Sequence, residues 1–280
     1  MPVLKIGPFY LGKPSAEERA AVELSACRQA ARQLVPSCRL PFNFPHLGIT
    51  RTSPPLPEAV AAESWTIDHN RVQVGRGQAA YRRARSLLEQ WRHFDLGWAS
   101  VNAPPVKPGS PVVVTAFSLC CWSCNPLRIS FVEEGGLRRN AQQLPPWVGA
   151  PPTAAEGASL RQQRLHGGGS GVLGLLGTGG GKRTQHQQQA AAAEAAAALP
   201  PRGRRFAFAH TTLQGHQIRG EERFCVAWNA QDDSVWYEIY TLSRPGSWIT
   251  AAAHPLLRAF QRKFAADSCD AMQRQMAARA

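Results

Sequence analysis

Three runs in the last third of the chain, RRFAFAHTTL (204–213), EERFCVAW (221–228) and VWYEIYTLS (235–243), decide the fold. Phe224, Val226 and Trp228 alternate with Arg223, Cys225 and Ala227, and Val235, Tyr237 and Ile239 alternate with Trp236, Glu238 and Tyr240. A period of two is the signature of strands with one face turned to a core. The period then changes, because Leu256, Phe260, Phe264, Met272 and Met276 recur at multiples of four. That spacing predicts a long amphipathic C-terminal helix, and the nearest apolar surface for it is the sheet. The expected fold class is therefore α+β, an antiparallel sheet gripping a long C-terminal helix. Such a pairing encloses apolar space of the kind a small-molecule site needs.

Upstream, Ser15 and Glu18 form a capping box that opens a helix over 15–34. A Pro-rich connection (PFNFPHLGITRTSPPLP, 41–57) leads to a short strand RVQVG (71–75) and a second helix from about Gln78 to Trp91. PVVVTAF (111–117) and LRISFVEE (127–134) read as two more strands, with Pro126 between them. From Leu137 to Gly203 periodicity stops, and PP, GGGS, GTGGGK, HQQQ and AAAAEAAAA follow one another. Such a segment buries too little apolar surface to offset its ordering entropy. The chain thus reads as one domain over 1–280, its core at 3–137 and 203–277 interrupted by a disordered low-complexity insertion at 138–202.

More than half of the formal charge of +13 lies over residues 138–205, which hold nine Lys or Arg against Glu156 and Glu194, a net of +7. The basic insertion predicts weak, nonspecific nucleic-acid contact, since aromatics interleaved with its arginines are missing. Seven cysteines at irregular spacing fit a reducing compartment better than a disulfide scaffold. No run reaches the roughly 18 apolar residues of a spanning helix. Glu17 and Glu18 argue against a cleaved organellar transit peptide. The expected location is cytoplasmic.

Several motifs imitate known chemistry. Gly75, Gly77 and Ala80 match G-x-G-x-x-A between a strand and a helix, but the strand alternates, and the helix leads to Pro-rich sequence instead of a parallel strand. A tight turn with close backbone approach is the favoured reading. GTGGGKRT (177–184) has Arg183 where a phosphate loop needs a hydroxyl. Cys121 and Cys124 form a C-x-x-C without a second ligand pair, so no metal and no cofactor is expected. His210, His216, Glu221, Glu222 and Glu238 are the clustered groups suited to acid–base work. A carboxylate such as Glu238 among aromatics acquires a raised pKa. The alternative is a structural ion pair between Glu238 and an arginine such as Arg76 or Arg244.

At LQGHQIRGEERFCVAW (213–228), DDSVWYEIYTLSRPGSW (232–248) and PLLRAFQRKFAADS (255–268) the chain resembles uncharacterised protein family 0548, found in bacteria, plants and algae. The resemblance extends through HLGITR, VQVGRGQAAYRRARSLLEQWRHFDLGW and NPLRISFVEEG, and leaves out 138–203. It covers Gly75, Gly77, Trp91, Asn125, Pro126, Gly215, His216, Gly220, Glu221, Glu222, Trp236, Glu238, Ser243 and Pro245. His210 falls where the family usually carries an aromatic, and on that ground is set aside as catalytic. The order of elements is similar to the helix-grip fold of polyketide cyclases and lipid-transfer domains, a fold-level analogy only. The resemblance also implies a link to the plastid outer envelope, and hence an alternative role as an envelope-associated or channel-like protein at a membrane surface.

The sequence therefore predicts a binding module for a small apolar or aromatic molecule, with Gly75, Arg76, Gly77, Tyr81, His216, Glu221, Glu222, Trp236 and Glu238 at the site. In this reading the Gly75–Gly77 turn, the His216 hairpin and the Glu238 strand converge on its polar end. An enzyme built on the same cavity would use Glu238 as base and His216 as acid.

Overall fold

The computed structural model describes residues 5–6, 9–31, 42–52, 57–61, 63–118, 121–136, 203–252 and 254–278. The elements in chain order are β1 (Lys5–Ile6), β2 (Phe9–Tyr10), α1 (Ala16–Ala31), α2 (Glu58–Ala61), β3 (Thr66–Arg76), α3 (Gly77–Glu89) and β4 (Ala99–Val101). They continue with β5 (Pro111–Ser118), β6 (Cys121–Gly136), β7 (Gly203–Thr212), β8 (Ile218–Asn229), β9 (Ser234–Pro245), α4 (Trp248–Ala252) and α5 (His254–Ala277). All belong to the unit of residues 1–137 and 202–280. The insertion expected at 138–202, with its proposed nucleic-acid contact, lies outside the described residues.

The three runs that alternate in sequence become β7, β8 and β9, the middle of a curled antiparallel sheet ordered β4–β5–β6–β7–β8–β9–β3. A small β1–β2 hairpin adds to the first part of β6, with Tyr10 opposite Trp122. Alternation assigns the faces. Phe206, Phe208, Phe224, Val226, Val235, Tyr237 and Ile239 turn inward and form one core with Tyr81, Ala84 and Leu88 of α3 and Ala265 and Met272 of α5. The fold is thus α+β and helix-grip-like. The opposite, outer face is covered by the segment 42–52, whose single 3-10 turn is Ile49–Arg51, and by a second apolar cluster of Phe44, Val60, Trp65 and Leu242.

Local signals held where they carry a mechanism. Ser15 N–H donates to Glu18 Oε2 at 2.7 Å and Glu18 N–H to Ser15 Oγ at 3.1 Å, the reciprocal capping box. A Cβ at position 75 would stand 2.9 Å from that of Ala80, and Gly77 has φ +85°, so both glycines serve the turn from β3 into α3. β3 pairs antiparallel with β9, which removes the dinucleotide reading.

Two expectations need correction. Pro126 is not a break: β6 starts at Cys121 and carries Pro126 opposite Val113. The Pro126 carbonyl accepts from Leu213 N–H at 3.2 Å, beyond the end of β7. N and O of one strand residue point to the same side, so the missing N–H falls where no partner strand needs it. The strand also puts Cys121 and Cys124, three apart, on opposite faces of the sheet.

The second correction concerns the face of α5. Leu256 is 41% exposed, and Leu257 lines the space under the helix instead. Each four-residue step overshoots a helical turn by about 40°, so Leu256 and Met272 stand about 160° apart. The buried stripe holds Ala265, Ser268, Ala271 and Met272, and its small residues let the helix lie close to β9. There Tyr237 and Ser268 share a buried hydroxyl–hydroxyl hydrogen bond of 2.9 Å. Phe264 packs on Phe94 and Phe224, at ring distances of 5.1 and 6.4 Å. Phe264→Ala is expected to lower unfolding stability by about 2 kcal/mol, and Leu256→Ala by no more than about 0.5 kcal/mol, in urea titrations.

Candidate functional site

Register lays the inner face out in rows across four strands. Phe208, Phe224, Ile239 and Asn70 are successive cross-strand partners on β7, β8, β9 and β3. Two residues further along each strand, His210 pairs with Glu222, Glu222 with Thr241, and Thr241 with Asp68. On β7, β8 and β9 the face therefore changes within one row from apolar to polar. Above the polar row, α5 contributes Leu257, Phe260 and Phe264, and neighbouring segments add Phe94 and Trp98. Between these walls lies a cavity of about 260 Å³, also bordered by Ala116, Leu127 and His216.

The helix is tied down over this cavity by polar contacts at its rim. Arg258 meets the Asp68 carboxylate with both terminal nitrogens, Nη2 to Oδ1 at 2.6 Å. Gln261 Nε2 donates to Ser243 Oγ at 2.9 Å. Trp98 Nε1 donates to Asp267 Oδ2 at 2.6 Å, which Lys263 also approaches at 2.6 Å.

Within the polar row, Nε2 of His210 lies 3.0 Å from Glu222 Oε2, and Thr241 Oγ1 donates to Glu222 Oε1 at 3.0 Å. The carboxylate is thus held from both sides. His210 is 2% exposed and stands edge-on to Phe224 at 5.1 Å. His216 is fastened to its own turn, its Nδ1 accepting from Ile218 N–H at 3.1 Å. Burial, with the nearby His210 adding to it, holds the His216 imidazole down to about 3. His93 is fully buried among Trp91, Phe94, Phe208, Phe224 and Tyr237, and burial pushes it well below the usual histidine range.

The convergence expected from the sequence does not form. Glu238 has the parity of Tyr240 and Leu242 and lies on the outer face, where Arg223 Nη2 donates to its Oε1 and Nε2 of His69 lies 3.2 Å from its Oε2. Arg223 Nη1 in turn donates to the carbonyls of Thr50 and Arg51. The arginine partner is Arg223, neither Arg76 nor Arg244. Burial alone would raise the Glu238 pKa, but His69, Arg223 and Arg205 outweigh it and hold it at about 2, so it is no base near neutrality. Its cross-strand partner Cys225 lies seven residues beyond Ile218, about 23 Å along the strand and far outside hydrogen-bond reach of His216. The His216–Glu238 acid–base pair is therefore absent.

The other named positions also divide. Glu221 faces outward and accepts five hydrogen bonds: from Gly48 N–H, Ser130 Oγ and Thr211 Oγ1 at Oε2, and from Thr50 N–H and Oγ1 at Oε1, at 2.8 to 3.1 Å. A carboxylate so fully engaged is a fastening for the 42–52 segment. Trp236 lies on the outer face under Arg71, whose guanidinium is 4.1 Å from its ring centre. Gly75, Arg76 and Gly77 sit at the β8–β9 hairpin, with Gly77 N–H donating to Asp233 O at 2.8 Å and Arg76 to Asp232 O at 3.4 Å. That hairpin follows Asn229, whereas the His216 turn precedes Ile218, so about 36 Å of β8 separates them. Tyr81 is core, 2% exposed. Of the expected residues the cavity is bordered by His216, Glu221 and Glu222, Glu221 with its carboxylate turned to the outer face. The expectation set His210 aside and missed Thr241 and Asp68, although His210 and Thr241 share the inward parity of Phe208 and Ile239.

A curled sheet closed by a terminal helix over a partly polar cavity defines a helix-grip-like α+β domain. The chain belongs to the family described as a domain of unknown function (DUF1990), which it matches over residues 44–271. It is 23% identical over 217 residues to a UPF0548 protein of Dictyostelium discoideum, covering 75% of this chain and 72% of that one. A UPF0548 protein of Arabidopsis thaliana is 24% identical over 211 residues, covering 75% and 73%. One from Deinococcus radiodurans is 41% identical over 59 residues, covering 21% and 29%. Among the described residues no helix is long and apolar enough to cross a membrane.

Proposed function

We propose that the protein binds a small apolar or aromatic molecule in the cavity between the sheet and α5. The observation that carries this reading is the division of the cavity walls: aromatic side chains of α5 and its neighbours on one side, the His210–Glu222–Thr241 row on the other. A volume of about 260 Å³ stands near the lower end of the usual range for ligand pockets and suits a molecule of one or two rings. The rim contacts from Arg258, Gln261 and Trp98 favour a preformed site, which lowers the ordering cost of binding. The envelope-channel alternative finds little support in a sheet whose inner face is filled by α3 and α5.

Ala116 borders the cavity away from the polar row and is half-buried. Ala116→Trp is expected to fill the space while leaving Glu222 and His210 in place. Calorimetric titration with 2-naphthol should give saturable binding to the unaltered protein and none to this variant at a comparable unfolding midpoint. Undiminished binding by the filled variant would place the naphthol elsewhere and sink the reading.

A further inference from the structure

We propose that Glu222 anchors the polar end of the ligand, and that the ligand carries an O–H or N–H donor there: a hydroxyl or amine on an apolar body. This rests on the cavity being the binding site. An ionised carboxylate offers about four lone-pair positions and no donor. Glu222 has two of them occupied, one by His210 Nε2 and one by Thr241 Oγ1, and its side chain is 21% exposed where it borders the cavity. Its neighbour Glu221, with five donors and 1% exposure, has nothing left to offer. Two adjacent glutamates are thus divided by strand parity into a fastening outside the sheet and an open acceptor inside it.

Several neighbouring polar groups are already engaged. Asp68, the other carboxylate of the row, has as many positions occupied, but both by the Arg258 guanidinium, which neutralises its charge. Asn125 spends its amide on Val114 O and Ser123 Oγ, and Gln261 spends its amide on Ser243. His210 turns its Nε2 to Glu222, and the Glu222 carboxylate repels a ligand carboxylate. A donor-bearing ligand gains a charge-assisted hydrogen bond to a half-buried carboxylate, whereas a ligand ending in a carboxylate meets like charge.

Four naphthalenes with the same apolar body separate the outcomes: 2-methylnaphthalene, 2-naphthol, 2-naphthylmethylamine and 2-naphthoate. The unaltered protein should hold the naphthol and the amine about ten-fold or more tighter than the naphthoate at neutral pH. In Glu222→Gln, which keeps the shape and removes the charge, that preference should collapse while 2-methylnaphthalene binds as before. Binding of 2-methylnaphthalene without any preference among the polar three would overturn the anchor and leave the cavity reading standing. Failure of all four to bind the unaltered protein would overturn both. Should Glu222→Gln not fold, the order of affinities in the unaltered protein decides alone, and a tighter naphthoate refutes the proposal.

Discussion

Glu238→Gln should destabilise the protein by about 3–5 kcal/mol, a fall of roughly 10 °C in melting temperature, and leave 2-naphthol binding unchanged. The loss arises because Arg223, 1% exposed, keeps its charge and its contacts to Thr50 and Arg51 but loses its counter-ion. The variant also weakens the tie between β8 and β9 on one side and the 42–52 segment on the other. Ligand binding is spared because Glu238 faces away from the cavity. Removing both charges tests the cause: Arg223→Met with Glu238→Met should recover part of the single-variant loss, since no ion is then left alone in the interior. A double variant weaker than either single one would assign the loss to packing instead.

Acid should unfold the protein in two stages. Glu238 has a folded pKa of about 2 against an ordinary 4.5, so its stabilisation is complete above pH 4.5 and is lost as pH falls towards 2. That difference corresponds to about 3 kcal/mol. His216, held down to about 3, and His93, held well below its ordinary 6.5, act earlier. Both stay neutral in the folded protein while the unfolded chain takes up protons from about pH 6.5 downward, so stability already declines there. Urea midpoints should be flat between about pH 7 and 8, fall below that range, and fall more steeply below about 4.5. Glu238→Gln should flatten only the lower stage. A stability maximum in acid, or an unchanged lower stage in that variant, contradicts the assignment.

The sheet was legible because β8 and β9 alternate over residues 223–228 and 235–240, and one pattern fixes both the element and its two faces. The capping box was legible for a similar reason, being local. What alternation cannot give is which of two faces meets the ligand, and Glu238, Trp236 and Glu221 were therefore assigned to a site they turn away from. Nor does it give register. The row from His210 to Asp68 exists because the turns at 213–217 and 230–233 set how β7, β8 and β9 slide past one another, a property of loop geometry. His210 was set aside because the resemblance implied an aromatic at that position, yet its parity with Phe208 already pointed it inward. The outer-face cover by Thr50 and Arg51 was hidden in a Pro-rich stretch with no periodicity to read.

The central claim is that the space beneath α5 is a ligand site, and native mass spectrometry of the full chain purified from its own host addresses it most directly. The account predicts a small molecule of low polarity that stays with the folded protein, is released on denaturation, and is absent from Ala116→Trp expressed in the same host. An adduct retained equally by that filled variant, or a folded protein with no adduct that also fails to take up 2-naphthol, would contradict it.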